Sequence, residues 1–539
     1  RHPLPFPRPF VLMHRVAQIV TQFSPTSVYS NSHPLITMAE TNANGHQNGT
    51  QQVVVDNWIN GQPTKPIGGK YMPLYQPRDG SQTGQVALSE KEDLDAAVEA
   101  AKAVYPSWSK LTAKARSQYI FKLREALIAN TEELAQIVMS EHGKTHGEAL
   151  GSISKGNETC EWACSIPQVI QGRIQEVSGG VTCHEVREPL GVVACIVPFN
   201  FPIMVPFWTL PIAIAAGNCV ILKPSEKVPR TMQKVMEIIK KCGIPDGVVQ
   251  IVNGTVPIVE AICDHPDIPA ISFVGSSKVA EIVAQRGRKN NKRVLALGAA
   301  KNHLVALRDC NADMCSTDIV LSFTGCAGQR CMAASALIVV QQQQELVDLI
   351  VSKAAKLTPG QGAGQMGPII DQAAVDRCHR YIEEAVTKNG AKLLLDGRSW
   401  TNQQKGFWIG PTILLHNSPK DPAFTEEIFG PILSIVQVDT KEEAIAIENA
   451  SPYGNAACIY TTVGAHAEWF VARFSAGMVG VNIGVPVPRE PFSFGGWNKS
   501  RFGDLDITGE SGLEFWTRRK KVTTKWMIPS HKGTGDWMS

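Results

Sequence analysis

Several features that mark common functional classes are missing from this 539-residue chain. Its 52 basic and 49 acidic residues nearly cancel, at a net charge of +3, so the sequence predicts no nucleic-acid partner. The 13 cysteines are scattered and contain no Cys-x-x-Cys pair. This pattern disfavours a zinc ribbon or a disulfide framework and favours reduced thiols, and we predict no metal site. At roughly 150 residues per domain, the length predicts three or four structural units.

The first 39 residues lack acidic side chains, and Glu40 is the first. Leaders that are poor in acids and carry arginine resemble organelle transit peptides. Prolines in this stretch weaken an amphipathic helix, and Met38 is a possible start of translation. Two alternatives therefore stay open for the leader, residues 1–52. A transit peptide would place the protein in the mitochondrial matrix, whereas a translation artefact would leave it in the cytoplasm.

A long run without charge, residues 189–222, exceeds the ~20 residues that a membrane span needs. Five prolines and two asparagines interrupt it, however, which disfavours a membrane partner. The run instead predicts a buried strand at 191–197, a buried helix at 202–216 and a second strand from 219. These form a β–turn–α–β unit inside an α/β domain.

Strand and helix patterns alternate along most of the chain. Residues 89–92 (Ser-Glu-Lys-Glu) predict a capping box before a first helix, and two further helices are expected at 114–130 and 131–141. After Lys223, the pattern predicts strands at 248–252, 271–274, 294–297, 305–306 and 336–340, with helices at 256–264 and 278–286. Such alternation is typical of a parallel, doubly wound sheet.

Two segments carry side chains suited to chemistry. The first is residues 198–202 (Pro-Phe-Asn-Phe-Pro), followed by 223–226 (Lys-Pro-Ser-Glu), and the second is 325–331 (Gly-Cys-Ala-Gly-Gln-Arg-Cys). Together with motifs at 273–277, 367–368, 427–431 and 491–496, they make the chain resemble the aldehyde dehydrogenase superfamily from about residue 53 to 526. Within it, segments at 186–193, 301–303, 328–333 and 494–500 resemble the CoA-acylating methylmalonate or malonate semialdehyde dehydrogenases.

The resemblance implies an α/β architecture with two doubly wound parallel-sheet domains, one for NAD and one for catalysis, plus a β oligomerisation arm. The expected segments are 53–167 and 188–299 for the NAD-binding domain, 168–187 and 513–526 for the arm, 300–512 for the catalytic domain and 527–539 for a C-terminal tail. Because the family joins subunits through such arms, we expect a homotetramer, with a dimer as the alternative.

Cys331 is the nucleophile that the resemblance implies. A thiolate attacks an aldehyde well and also leaves well from the resulting thioester. Most cysteines are merely buried small hydrophobes, but Gly, Gln and Arg surround Cys331, and Cys326 is its nearest rival. Asn200 is expected to complete an oxyanion hole with the backbone N–H of Cys331, although a turn asparagine between prolines is the structural alternative.

Seven residues are implied as NAD contacts: Phe199, Lys223, Glu226, Gly275, Ser276, Glu427 and Phe429. Lys223 and Glu226 would reach the adenosine ribose, and a carboxylate there favours NAD because it repels a 2′-phosphate. Gly275 and Ser276 end a strand and open a helix, so their amides suit the pyrophosphate. Solvated or turn roles are the structural alternatives for the charged members of this set.

One absence points to the acyl acceptor. Hydrolytic members of the family carry a glutamate in a Glu-Leu-Gly-Gly-Lys segment, whereas residues 295–301 here read Leu-Ala-Leu-Gly-Ala-Ala-Lys. Alignment on Lys301 puts Leu297 at the position of the base that activates water. Leucine cannot act as a base, so coenzyme A is the expected cosubstrate.

The implied substrate, a small-molecule semialdehyde, carries a carboxylate. Arg330 is the natural partner, because guanidinium grips carboxylate with two parallel bonds. The family branch supplies a second arginine where Lys155 stands here, and lysine is not equivalent at such a site. Two alternatives remain: a CoA-independent aldehyde dehydrogenase of another specificity, and a non-catalytic binding or structural relative.

Overall fold

The computed structural model describes residues 53–526, so the predicted leader and C-terminal tail lie outside the described residues. The first part of the chain comprises β1 (Val53–Val55), β2 (Asn57–Ile59), β3 (Gln62–Thr64), β4 (Tyr71–Tyr75), β5 (Gln82–Ala87), α1 (Lys91–Lys110), α2 (Ala113–Ala129), α3 (Thr131–His142), α4 (His146–Ala163) and α5 (Ile166–Val169). The next part comprises β6 (Arg173–Ser178), β7 (Val181–Pro189), β8 (Val192–Ile196), α6 (Met204–Ala216), β9 (Cys219–Lys223), α7 (Pro229–Lys241), β10 (Val249–Ile251), α8 (Val256–Asp264), β11 (Ala270–Val274), α9 (Ser277–Lys289) and β12 (Arg293–Leu297).

The second half of the chain repeats the alternation of strands and helices. Its elements are β13 (Asn302–Ala306), α10 (Ala312–Thr324), a 3₁₀ turn (Gly325–Gly328), β14 (Ala334–Val340), α11 (Gln344–Ala354), β15 (Thr358–Pro359), β16 (Gln365–Met366), α12 (Gln372–Thr387), β17 (Lys392–Leu395), a 3₁₀ turn (Arg398–Asn402), β18 (Thr412–Leu415), α13 (Pro422–Thr425), β19 (Ile432–Val438), α14 (Lys441–Asn449), β20 (Tyr453–Gly454), β21 (Ala456–Tyr460), α15 (Gly464–Val471), β22 (Met478–Val481), β23 (Trp497–Asn498), β24 (Arg501–Gly503), α16 (Gly509–Phe515) and β25 (Thr517–Lys525).

An eight-stranded sheet organises the first half. Its centre is five parallel strands in the order β12-β11-β8-β9-β10, and the antiparallel pair β2–β3 extends one edge. At the other edge lies β24, which comes from the segment that the sequence assigns to the catalytic domain. One strand from the predicted catalytic domain therefore completes the first sheet. The domain boundaries themselves remain a prediction.

A seven-stranded sheet organises the second half, in the order β17-β18-β19-β14-β13-β21-β22, with only β17 antiparallel. Alternate residues of β14 belong to different cores: Leu337 and Val339 pack with α10 and α11, whereas Ala336 and Ile338 pack with α14 and α15. Both faces are therefore covered by helices, as expected of a parallel sheet. The predicted α/β fold with two doubly wound sheets is confirmed.

The third sheet is the predicted arm, in the order β25-β7-β6. Strand β25 pairs antiparallel with β7 over nine residues, from Thr517 opposite Pro189 to Lys525 opposite Val181. All six residues of β6 are exposed in the single chain.

The charge-free run forms β8, α6 and β9, close to the predicted bounds, and α6 is buried along nearly its whole length. Within residues 53–526, no helix combines the length and apolar character needed to cross a bilayer. The predicted capping box is displaced by one residue. Glu90 is the N-cap of α1, and its partner is Asp93, because the helix begins at Lys91.

Candidate active site

A cavity of about 400 Å³ lies at the carboxyl ends of the parallel strands β8, β9 and β11. Ligands of open α/β sheets bind in this crevice. All nine residues predicted for catalysis and for NAD binding line this cavity, namely Phe199, Asn200, Lys223, Glu226, Gly275, Ser276, Cys331, Glu427 and Phe429. Loops that precede β14 and β19 bring Cys331, Glu427 and Phe429 to this crevice from the second sheet.

Lys223 and Glu226 form an ion pair at one end of the cavity, with 3.0 Å between Nζ and Oε2. Lys223 is the last residue of β9 and is buried. Burial is the strongest single influence and opposes ionisation of Glu226, but the charges of Lys223 and Lys227 and hydrogen bonds to the carboxylate together outweigh it and lower the pKa of that carboxyl below its usual value. Glu226 is therefore an ionised acceptor, suited to the two hydroxyls of a ribose.

Gly275 and Ser276 form the turn between β11 and α9. Ser276 is the N-cap of this 13-residue helix, and no side chain caps it. A Cβ on Gly275 would lie 2.6 Å from the Phe273 ring, so the tight turn requires glycine there. Gly275 and Ser276 line the cavity, and the amides of a helix's first turn suit an anionic group such as a diphosphate.

The loop that carries Cys331 has an unusual backbone. Cys326 and Ala327 both adopt left-handed conformations, at φ 53° and 52°. Gly328 is also left-handed, at φ 71°, and a Cβ on it would overlap the backbone of Gly430. The loop that carries Cys331 and the 427–431 loop therefore approach each other more closely than a residue with a Cβ at position 328 would allow.

Two asparagine side chains fix the backbone of Cys331. Asn302 and Asn455 donate from Nδ2 to its carbonyl oxygen, at 2.8 and 3.1 Å. Asn200 donates to the carbonyl oxygen of Gln329 at 2.9 Å and is almost fully buried. An amide nitrogen carries two protons. The second N–H of Asn200 is therefore available to an oxyanion formed at Cys331.

Burial and the nearby Glu427 carboxylate raise the pKa of the Cys331 thiol to about 12. Burial likewise raises the pKa of Glu427 to about 7, although its carboxylate accepts a hydrogen bond from Ala300 N at 2.9 Å. A neutral thiol beside a carboxyl group that titrates near neutrality is suited to proton transfer.

A second cavity, of about 710 Å³, meets the first at Cys331. Arg330 and Lys155 both line it, as predicted for cations that would bind a carboxylate. Arg330 packs against Gly325, where a Cβ would overlap the guanidinium, and it donates from Nε to Cys326 Sγ at 3.5 Å. Lys155 lies on α4 and pairs with Glu158, at 2.6 Å. Their roles in binding substrate remain a prediction.

Leu297 is the last residue of β12 and is buried. It places an apolar side chain beside Gly298, which lines the first cavity. The position aligned with the water-activating base therefore carries no group that can accept a proton.

Known proteins of similar sequence show the family to which this chain belongs. The model of the aldehyde dehydrogenase family matches residues 64–522. A Bacillus thuringiensis protein named malonate-semialdehyde dehydrogenase 2 is 41% identical over 479 residues, which cover 88% of this chain and 98% of that protein. The chain belongs to the aldehyde dehydrogenase family. A Geobacillus kaustophilus protein of the same name is also 41% identical, over 87% of this chain and 98% of its own length.

Solved structures of related aldehyde dehydrogenases share the fold. A methylmalonate-semialdehyde dehydrogenase from Oceanimonas doudoroffii superposes with a TM-score of 0.87 at 35% identity, covering 88% of this chain and 99% of that one. A Sinorhizobium meliloti protein assigned as a methylmalonate-semialdehyde dehydrogenase, solved in complex with NAD, gives 0.87 at 37% identity over 89% and 99%.

Sequence reasoning missed several residues of this aldehyde dehydrogenase site. Asn302 lies in a segment that carries the family resemblance, but nothing in the sequence shows that it holds the Cys331 carbonyl together with Asn455. Arg377 lines the first cavity and Arg489 the second. Arg489 lies two residues before the 491–496 motif, which was the available signal. Across residues 53–526, no three His, Cys, Asp or Glu side chains are grouped as a metal site would require.

Proposed function

We propose that this chain is an NAD-dependent, CoA-acylating dehydrogenase of malonate or methylmalonate semialdehyde. For the malonate compound, the semialdehyde, CoA and NAD⁺ give acetyl-CoA, CO₂ and NADH, and the methylmalonate compound gives propionyl-CoA. The observation that carries the proposal is the position of Cys331. It lies where a cavity suited to a dinucleotide meets a cavity lined by cations.

The first step is attack of Cys331 sulfur on the aldehyde carbon. Asn200 Nδ2 and the backbone N–H of Cys331 would donate to the developing alkoxide. The thiol proton has to leave, and the Glu427 carboxylate, with its pKa near 7, is the suited acceptor.

The residues of the first cavity fit NAD. The ionised carboxylate of Glu226 suits a ribose, and the amides at the start of α9 suit the diphosphate. The edge-to-face pair of Phe199 and Phe429, with ring centroids 5.9 Å apart, would bound the space beside Cys331. NAD supplies a hydride acceptor for the thiohemiacetal carbon, and the product of that step is a thioester on Cys331.

The thioester then needs an acceptor. Because Leu297 supplies no base, attack by water is slow and the thiol of CoA takes the acyl group, releasing the Cys331 thiolate. The carboxylate of the acyl group leaves as CO₂ with the transfer, and the carbon that held it takes up a proton, equivalent to the one lost by the CoA thiol, which leaves acetyl or propionyl on CoA.

One observation favours the CoA-independent alternative. Glu427 has a pKa near 7 and lines the cavity beside Cys331, so it is the group that would activate water if hydrolysis occurred. The two functions differ in whether turnover requires CoA.

Paired cysteine variants test the proposal. Cys331→Ala should lower NADH production from malonate semialdehyde and CoA by more than about a thousandfold, because the covalent intermediate is lost. Cys326→Ala should retain NADH production, with a raised KM because its thiol contacts Arg330. Loss of activity in Cys326→Ala and retention in Cys331→Ala would refute the assignment of the nucleophile. Retention in both would support a non-catalytic role for these thiols.

A further inference from the structure

Positive side chains outnumber negative ones in the lining of the second cavity. The charged side chains are three cations and two carboxylates, namely Lys155, Arg330, Arg489, Glu148 and Glu158. A substrate with its own carboxylate would be bound by whichever cations remain free.

Both carboxylates are already engaged. Glu158 pairs with Lys155 at 2.6 Å. Glu148 accepts hydrogen bonds from the backbone nitrogens of Thr145 and Cys326, at 3.0 and 2.6 Å. Neither carboxylate forms an ion pair with Arg489 or Arg330 within residues 53–526, although the charge of Glu148 acts on Arg330 from a distance.

Lys155 is poorly placed to take a second anion. Its ammonium is held by Glu158, three residues further along α4. A substrate carboxylate near Lys155 would have to displace that partner or accept its repulsion. A lysine also offers a point charge rather than the two parallel donors of a guanidinium.

Arg489 differs from Lys155 in two ways: it has no carboxylate partner within residues 53–526, and it carries a guanidinium. It is exposed on the loop between β22 and β23, and its guanidinium makes no hydrogen bond or ion pair with any residue in 53–526. The loop itself is anchored, because Thr159 Oγ1 on α4 donates to Glu490 Oε1 at 3.1 Å. The backbone N–H of Phe492 also donates to the Arg489 carbonyl, at 3.0 Å. A free guanidinium thus stands on a fixed segment at the wall of the cavity.

We propose that Arg489 is the second carboxylate-binding residue of the substrate cavity, acting with Arg330 in place of Lys155. The proposal rests on the proposed function, because it assigns the residue that selects a semialdehyde with a carboxylate. Arg330 would grip the carboxylate from beside the nucleophile, and Arg489 from the loop that faces α4.

Kinetics with a charged and an uncharged aldehyde test this role. The variants are Arg489→Gln, Arg489→Lys and, as the matched control, Lys155→Gln, each assayed with malonate semialdehyde and with propanal in the presence of CoA and NAD. Arg489→Gln should raise KM for malonate semialdehyde by about tenfold or more, because a charge-assisted contact is lost. Its KM for propanal should stay unchanged, and Arg489→Lys should recover part of the loss. Lys155→Gln should raise KM for malonate semialdehyde less than threefold.

Other results would overturn the assignment. Equal rises in KM for both aldehydes would show a structural effect, and no rise for either would show that Arg489 does not touch the substrate. A larger rise in KM for malonate semialdehyde in Lys155→Gln than in Arg489→Gln would show that Lys155 binds the carboxylate. If wild-type enzyme itself did not prefer malonate semialdehyde to propanal, the proposed function would fail, which is a separate outcome from failure of Arg489.

Discussion

Two of the 13 cysteines, Cys326 and Cys331, line the second cavity, and opposite charges surround them. Cys326 accepts from Lys144 Nζ at 2.9 Å and from Arg330 Nε at 3.5 Å. Cys331 is instead close to the Glu427 carboxylate, and burial and that carboxylate outweigh the charge of Arg330. Cys331, the proposed nucleophile, therefore rests as a thiol, whereas Cys326 is contacted by two cations. Sequence motifs favoured Cys331 over Cys326 as the nucleophile, which remains a prediction, and they did not indicate this difference in charge.

The resting thiol can be tested by alkylation. Without nucleotide, iodoacetamide should label Cys331 slowly at neutral pH and faster as pH rises, because the pKa of the thiol is about 12. Glu427→Gln removes the carboxylate that disfavours the thiolate, so labelling at pH 8 should rise about three- to tenfold. The gain should shrink below pH 7, where the carboxyl of the wild type, with its pKa of about 7, is protonated and neutral.

Glu426→Gln is the matched control for this experiment, because that neighbouring carboxylate bonds to Tyr381 instead. Peptide mapping by mass spectrometry would follow Cys331 alone. Equal or slower labelling of Glu427→Gln at pH 8 would contradict the account.

At the scale of elements, periodicity predicted the strands and helices that are apolar and regular. The helix α8 has its predicted bounds, and α2, α3, β12 and β14 shift by one or two residues. The helix α4 was not predicted, because Gly147, Gly151 and Gly156 lower its intrinsic propensity. Gly156 lies against α6, but a Cβ there would be 3.4 Å from Met204 Cα, an ordinary van der Waals contact, so packing does not require glycine at this position. The pairing of Lys155 with Glu158 on this helix was therefore not foreseen.

The arm sheet is the element whose exposed surface predicts self-association. In the single chain, Ile174 and Val177 on β6 are 77% and 55% exposed. Such apolar strand surface is typical of an interface with another copy.

Ile174→Glu should reduce the assembly from the expected tetramer, or dimer, to smaller species, measured by size-exclusion chromatography with light scattering. Gln175→Glu on the same strand is the control for added charge. An unchanged mass for Ile174→Glu would contradict the role of the arm.

At the scale of the whole molecule, one site is assembled from two sheets. In the eight-stranded sheet, Lys223 ends a strand and Asn200 and Ser276 follow strands. Cys331 and Glu427 precede strands of the seven-stranded sheet. Family motifs indicated each of these residues, and the structure shows them around one cavity. The contacts of Asn302 and Asn455 with the Cys331 carbonyl could not be predicted this way, because they join segments that are distant in sequence. For Arg489, only its position near the 491–496 motif was a signal.

The central claim is that an acyl group on Cys331 passes to CoA rather than to water. Its most direct measurement is steady-state NADH production from malonate semialdehyde with and without CoA, with the products identified by mass spectrometry. With Leu297 at the position of the base, omission of CoA should slow turnover by about a hundredfold or more, and acetyl-CoA should form in step with NADH. Equal turnover without CoA, with a free acid as the product, would contradict the account and support the CoA-independent alternative.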